Sequence, residues 1–203
     1  MNPSDYNLDY QNQNTESKII VSLEKIAQAF RVLLWQQSKE FSISPIQIQI
    51  LIFLLFHSEE KRKVSYLAKE FNLTKATISE AIKTLARKGY VQKTPDEKDT
   101  RSYILHLTSD GQDIAEKASM FTKEIQTPVY QMPRDEKESM LLNLFEIIRH
   151  LNRNGVITIP RMCMTCTYYE LSEDGGKHFC HLLNQELYAA DLRIDCPEHV
   201  LKE

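Results

Sequence analysis

The 203-residue chain has little glycine and no cysteine before Cys163. Its five glycines form neither a G-x-G-x-x-G nor a G-x-x-x-x-G-K-[ST] pattern, so the loops that bind the phosphates of dinucleotides and nucleoside triphosphates are missing. This absence argues against a Rossmann or kinase-like enzyme. No nucleophile and base stand at a recognisable catalytic spacing, and we therefore expect no enzyme activity.

Long hydrophobic runs are also missing. The most apolar segment, residues 46–56, is interrupted by Gln47 and Gln49 and is far shorter than the roughly 20 residues of a membrane span. The first residues lack the basic and apolar regions of a signal peptide. We expect a cytoplasmic protein without a membrane partner, in which residues 1–14 form a disordered arm.

The remaining pattern is mainly helical. Apolar spacing, capping residues and breakers predict helices over residues 16–38, 44–57, 64–71, 74–88, 109–126 and 135–154. Two strand-like runs, 90–93 and 102–107, predict a hairpin whose loop spans residues 94–100. We therefore divide the chain into the arm, a helical domain over residues 15–155 with its DNA-binding part at 61–107, and a tail over residues 156–203.

The charge is unevenly distributed. A formal net charge of -3 counts against a nucleic-acid binder, because phosphates require cations. Residues 61–101, however, carry eleven basic and five acidic side chains, a net +6 that leaves -9 for the rest. A solvated charged surface is the bland alternative. The asymmetry favours a DNA-binding segment within an acidic scaffold.

The helix predicted over residues 74–88 has two different faces. Its apolar residues share one face and are Ile78, Ala81, Ile82 and Leu85. The opposite face carries small and hydrogen-bonding side chains flanked by cations, which suits base edges and phosphates. Two short helices followed by a basic hairpin are the order of a winged helix-turn-helix, with a generic amphipathic surface helix as the alternative.

Specific motifs accompany this order. They are V-S-Y-L-A-K-E-F-N-L-T-K-A-T-I-S at 64–79, L-A-R-K-G-Y-V at 85–91, D-T-R at 99–101 and L-T-S-D-G at 107–111. With them the chain resembles the MarR family of transcriptional regulators over about residues 20 to 152. The resemblance implies a MarR-like homodimer in which the terminal helices of the two copies interlock. The dimer would bind a pseudo-palindromic operator in double-stranded DNA. It is expected to be a repressor, with a possible small-molecule effector.

The resemblance also assigns roles within the DNA-binding part. The helix at 74–88 would enter the major groove, Arg101 would reach the minor groove, and Asp99 would brace the wing. An ion pair between Arg101 and Asp99 is the alternative. The residues expected to contact DNA are Thr74, Lys75, Ala76, Thr77, Ser79, Glu80, Lys83, Arg87, Lys93, Lys98, Asp99 and Arg101.

Two features depart from the family pattern. Glu80 stands where members often carry a basic residue, and it could accept a hydrogen bond from a cytosine amino group. The reactive cysteine that the thiol-sensing branch places in its first helices is absent, so peroxide sensing by that route is not expected.

The tail holds all four cysteines: Cys163, Cys166, Cys180 and Cys196. Four thiolates suit tetrahedral zinc, which would stabilise a short tail with little core of its own. An iron-sulfur cluster and a redox-active Cys-x-x-Cys pair are the alternatives. His178, His181 and His199 could each replace a cysteine, although a surface or supporting role is commoner for single histidines. No catalytic zinc motif is present.

The sequence leaves two hypotheses from different classes. In the first, a dimeric regulator binds DNA through two winged helices, and its cysteine tail is a structural or sensory metal site. In the second, the winged helix is a scaffold and a metal cluster serves interaction or electron transfer. We also predict a short helix in the tail that leads from about Leu182 back to Cys196.

Overall fold

The computed structural model describes residues 3–172 and 177–202. Within them the chain is mainly helical with two small antiparallel sheets, as predicted for a helical protein with a β-wing. The helices are α1 (Leu8–Gln13), α2 (Thr15–Phe41), α3 (Pro45–Phe56), α4 (Val64–Glu70), α5 (Lys75–Arg87), α6 (Ser109–Ser119), α7 (Lys123–Gln131) and α8 (Arg134–Arg153). The strands are β1 (Val91–Asp96), β2 (Asp99–Leu107), β3 (Tyr169–Leu171), β4 (His178–Cys180) and β5 (Gln185–Leu187).

Helix α3 lies at the centre of the main core. Its predicted capping box is present, since the Ser44 N–H donates to Gln47 Oε1 at 2.8 Å and the Gln47 N–H donates to Ser44 Oγ at 3.4 Å. The helix is apolar on almost every side, as a helix surrounded by other elements requires. Its fully buried side chains are Ile48, Ile50, Leu51 and Leu54. Helices α2, α5 and α6 and strand β2 pack around it.

The wing is longer than the sequence predicts. Strands β1 and β2 pair from Val91 opposite Leu107 to Asp96 opposite Asp99, so most of the predicted loop over residues 94–100 is paired. Pro95 does not prevent this pairing, because both strands of a two-stranded sheet are edges and the register shifts beside the proline.

The predicted disordered arm is wrong for residues 8–13, which form α1. Local hydrogen bonds fix this segment. The Asn7 side chain accepts from the Tyr10 N–H at 3.0 Å, and Asp5 Oδ1 accepts from the hydroxyl of Ser17 in α2 at 2.6 Å. Because Ser17 is buried, the segment is anchored against the longest helix of the chain.

The helix predicted over residues 109–126 is also wrong in its extent. Helix α6 ends at Ser119, a 3₁₀ turn follows, and α7 continues through Pro128 to Gln131. The chain turns before the proline, and α7 tolerates it with the loss of one backbone donor. The start of α8 also differs from the prediction. Pro133 is the N-cap residue of this helix, and Asp135 lies in its first turn.

The tail is a small sheet packed on α8. Strands β3, β4 and β5 pair in sequence order, and a second core of Phe145, Met162, Cys163, Leu187 and Leu192 joins the tail to α8. The predicted tail helix is wrong, since β5 and a 3₁₀ turn at 189–191 occupy that segment. After β5 the chain returns to the Cys163 segment, since the Cys163 N–H donates to the Arg193 carbonyl at 2.9 Å, and an extended chain covers such a distance in fewer residues than a helix.

No single helix in the described ranges is long and apolar enough to cross a membrane. Helices α2 and α3 taken together meet that criterion by length and composition, across a bend of 90°.

Gly111 marks a close contact between α6 and the start of the wing. A Cβ atom at this position would lie 1.9 Å from the carbonyl oxygen of Tyr90. The same oxygen accepts from the Thr108 N–H at 3.1 Å, so Tyr90 is fixed by the turn that begins α6. A side chain at position 111 would therefore displace backbone rather than a flexible side chain.

We expect Gly111→Ala to destabilise the fold by about 1–3 kcal/mol or more, because the clash outweighs the roughly 1 kcal/mol gain in helix propensity. Thermal unfolding followed by circular dichroism measures the change. Ser109→Ala, an exposed change in the same turn, is the control and should shift stability by less than about 0.5 kcal/mol. Equal stability of both variants would contradict the close contact.

Candidate nucleic-acid interface and cysteine cluster

Helix α5 presents its polar face to solvent because its apolar face is fixed to α3. Ile78, Ile82 and Leu85 are fully buried, and the Gln47 amide donates to the Ala81 carbonyl at 3.5 Å. The predicted DNA-contacting residues of this segment are all exposed: Thr74, Lys75, Ala76, Thr77, Ser79, Glu80, Lys83 and Arg87. The face is thus polar, bears small side chains and is flanked by cations.

The N-terminus of α5 is capped and exposed. Thr74 Oγ1 accepts from the Thr77 N–H at 3.1 Å and lies 2.9 Å from Thr77 Oγ1. The first turn of a 13-residue helix carries unpaired N–H groups and a partial positive charge, to which Lys75 adds. This end of the helix therefore favours an approaching phosphate.

Glu80 forms an exposed ion pair with Lys83 on this face. Lys83 Nζ lies 3.7 Å from Glu80 Oε2, and both side chains are more than two-thirds exposed. A pair this exposed is worth little to stability. Lys83 can therefore exchange its partner for a phosphate, and Glu80 can exchange its partner for a base amino group.

The wing carries cations together with an equal number of acidic residues. Lys93, Lys98 and Asp99 are exposed, and Lys93 Nζ lies 6.0 Å from the ring centre of Tyr103. The backbone of Arg101 belongs to β2, while its side chain is outside the described part of the chain. Its contacts with the minor groove or with Asp99 stay predictions.

Asp96 holds the wing, and sequence reasoning missed it. Its carboxylate is buried and accepts from Lys63 Nζ, from Ser102 Oγ at 2.9 Å and from the Lys98 N–H at 3.0 Å. These hydrogen bonds, that from Lys63 first, lower its pKa from 3.8 to about 2. An aspartate side chain that accepts from the backbone N–H of the second residue after it is typical of a turn. The sequence Pro95-Asp96-Glu97-Lys98 contains this signal.

Because the pKa of Asp96 is lower in the folded chain than in the unfolded chain, its ionised form stabilises the wing above about pH 4, and this contribution is lost as the pH falls toward 2. We expect Asp96→Asn to lower Tm at neutral pH. The difference in Tm between the parent and this variant should become smaller as the pH falls from about 4 toward 2. Tm measured against pH tests this, with Glu97→Gln on the same hairpin as the control. A gap that stays constant with pH would contradict the assignment.

The structure brings the four cysteines of the tail together. Cys163, Cys166, Cys180 and Cys196 line one cavity of about 20 Å³, and all four are free thiols. The Arg193 N–H donates to Cys163 Sγ at 3.2 Å. Burial raises the pKa of the Cys163 thiol; the Arg193 N–H opposes this, and the three other cysteines add to the rise.

The three tail histidines have other partners. His178 Nδ1 lies 2.6 Å from the Tyr169 hydroxyl, His181 Nε2 lies 2.6 Å from Glu170, and His199 Nε2 lies 3.0 Å from Thr165 Oγ1. Across residues 3–172 and 177–202, no three His, Cys, Asp or Glu side chains form a group that could hold a metal ion as they stand.

Arg161 anchors the tail to the helix-turn-helix, and no pattern in the sequence marks it. Its guanidinium is about nine-tenths buried and donates to both carboxylate oxygens of Asp195, at 2.5 and 2.7 Å. It also donates to Glu70 of α4, at 3.1 Å for Nη2, and to the Tyr66 hydroxyl at 3.0 Å. His57, at the end of α3, contacts Asp195 at 2.9 Å.

An apolar groove of about 740 Å³ runs between α2 and α8. Ile19, Ile26, Met140 and Ile147 line it, and all four are more than one-third exposed. Further along α2, Val32 and Trp35 are more than half exposed. Exposed apolar side chains therefore line this groove and continue along α2.

The fold and the basic face define a class of protein. Two short helices, an exposed polar face on the second and a paired wing form a winged helix-turn-helix, and residues 43–111 match the family described as winged helix DNA-binding domain. Among solved structures, the MepR–DNA complex of S. aureus aligns with a TM-score of 0.56 at 27% identity, covering 64% of this chain and 96% of that one. MepR in its DNA-binding conformation aligns with a TM-score of 0.58 at 26% identity, covering 66% and 98%.

Sequence relatives point the same way. The transcriptional regulator AdcR of Streptococcus pneumoniae is 33% identical over 86 residues, which are 42% of this chain and 57% of AdcR. The regulator SarZ of Staphylococcus saprophyticus is 31% identical over 87 residues, which are 43% of this chain and 58% of SarZ. The chain thus spans less than two thirds of either relative. The chain is therefore similar to MarR-like winged-helix regulators over the matched residues.

Proposed function

We propose that the protein is a sequence-specific DNA-binding transcriptional regulator that acts as a homodimer, with repression as its expected effect. The observation that carries this is the exposed polar face of α5, whose flanking cations continue into the exposed lysines of the wing. Support comes from the winged-helix relatives, one of which is described in complex with DNA. Binding to DNA would place the protein in the cytoplasm, where the sequence predicts it.

Each part of the surface has a proposed role. Helix α5 enters the major groove, where Thr77 and Ser79 contact base edges and Glu80 accepts from a cytosine amino group. Lys75, Lys83 and Arg87 bind phosphates on either side. The wing follows the backbone with Lys93 and Lys98, and Arg101 enters the minor groove, where a narrow groove strengthens the negative potential.

The groove between α2 and α8 is the proposed dimer interface. Its exposed apolar side chains lie on the two long helices that the MarR resemblance assigns to interlocking. A second copy seated there would cover them and would present two α5 helices to one duplex, which requires half-sites about one helical turn apart. A small-molecule effector would then act at or beside this interface.

We expect Lys83→Ala and Arg101→Ala each to weaken binding to an operator selected from random DNA and to flatten the plot of log K against log salt by about one unit, because each removes one phosphate or groove contact. Fluorescence anisotropy at several salt concentrations measures both effects. Lys117→Ala, which removes an exposed cation from α6, is the matched control. Parent-like binding by both test variants would contradict the regulator function.

The four cysteines are the proposed ligands of one zinc ion. The cavity they share is about the size of one water-sized sphere, which fits a single ion better than a four-iron cluster. Burial raises the pKa of Cys163, which disfavours a reactive redox thiolate in the metal-free tail. Zinc would displace the thiol protons and draw the sulfurs to about 2.3 Å from the metal.

Freshly purified protein should be colourless and contain one zinc per chain, whereas absorption between about 320 and 450 nm would indicate an iron-sulfur cluster instead. Cys166→Ser should lose the metal and unfold the tail while the helical domain keeps its circular dichroism signal. The separate core around α3 supports this expectation. Loss of most helix on metal removal would contradict it.

A further inference from the structure

The cysteine cavity and the helix-turn-helix are joined through the side chain of Arg161. This residue lies two positions before Cys163, and its partner Asp195 directly precedes Cys196. On the other side, its guanidinium contacts the last residue of α4, Glu70. The same ion cluster therefore touches two cysteine-bearing segments and the first helix of the DNA-binding motif.

Backbone hydrogen bonds tie the ion cluster to the cavity. Arg161 and Asp195 face each other in a parallel bridge, and the Cys196 N–H donates to the Arg161 carbonyl at 2.8 Å. The Cys163 N–H donates to the Arg193 carbonyl at 2.9 Å. Drawing the Cys163 and Cys196 sulfurs onto one metal ion would therefore also fix the Arg161–Asp195 pair.

The contact with α4 depends on charge. A guanidinium that is nine-tenths buried needs acceptors around it, and Glu70 and Asp195 provide four carboxylate oxygens between them. The rings of Phe53 and Tyr66 enclose it, with centres 5.8 and 6.0 Å from the guanidinium carbon. If the tail loosened, Arg161 would leave this site and α4 would lose its anchor at Glu70.

We propose that zinc in the cysteine cavity raises the affinity for DNA by holding Arg161 against α4, and that DNA raises the affinity for zinc by the same factor. The inference rests on the proposed DNA and zinc binding and adds the route that couples them. Holding α4 in place keeps α5 in the orientation that enters the groove, so less ordering is required when DNA binds. Arg161 acts here as a positioning residue.

The test is a double titration of the full chain. Binding to a selected operator is measured with Zn²⁺ present and after chelation, and Zn²⁺ affinity is measured with and without that DNA. In the parent we expect both ratios to agree and to be at least about fivefold. In Glu70→Gln we expect both ratios to fall toward one, because Arg161 loses its acceptor on α4.

Glu138→Gln is the matched control, since it removes a carboxylate from an exposed pair with Arg134 on α8. Its ratios should equal those of the parent. The ratio within each variant cancels the direct effect of one lost negative charge on DNA binding. Tyr66→Phe, which removes one hydrogen bond to Arg161, is a milder second variant and should lower the ratio partially. It replaces Glu70→Gln in the test if that variant does not fold.

Equal DNA affinity with and without zinc in the parent would overturn the coupling, as would a full ratio in Glu70→Gln. Absence of DNA binding in both states would instead refute the proposed function, and the coupling with it. Amide hydrogen exchange without DNA separates these cases. Zinc removal should speed exchange in α4 of the parent and of Glu138→Gln, but should change it little in Glu70→Gln; unchanged exchange in the parent would refute the route through Arg161.

Discussion

The buried charge of Arg161 is the constraint on which the arrangement of tail and DNA-binding domain depends. Burial would lower the pKa of its guanidinium, but hydrogen bonds to Asp195 and Glu70 raise it above its ordinary value. The hydrogen bond from Arg161, followed by that with His57, holds the pKa of the Asp195 carboxyl well below its usual range, although burial opposes this. The cation therefore remains charged and must keep both carboxylates, so the tail can dock only where α4 supplies Glu70.

A second constraint sets the surface that is proposed to contact DNA. Helix α3 is apolar on nearly all sides and buries the apolar face of α5, which leaves the polar face of α5 exposed. Asp96 then fixes the wing to the start of α4, because its carboxylate accepts a hydrogen bond from Lys63, the residue before that helix. The net +6 of residues 61–101 comes equally from residues 61–74 and 75–88, while the three cations of the wing are balanced by three acidic residues. The net charge of -3 conceals this basic segment because the remaining residues are acidic.

How far the sequence predicts these features depends on the range of the interactions. The capping box at Ser44, the cap at Thr74 and the two faces of α5 involve residues within one or two turns, and each is predicted correctly. Asp96 has a recognisable turn signal, but the prediction placed it in an unpaired loop over residues 94–100 and gave it no structural role. Arg161 left no local signal, because its partners lie 34 to 104 residues away in the chain. The tail strands are three residues each, too short for a periodic pattern.

The central claim is that two copies of α5 and the wing read one duplex. Hydroxyl-radical footprinting of the full-length protein on a selected operator tests it most directly. We expect two protected half-sites about one helical turn apart, roughly 34–36 Å, with protection extending into the flanking minor grooves where the wings would lie. One protected patch, or uniform protection that does not depend on the DNA sequence, would contradict it.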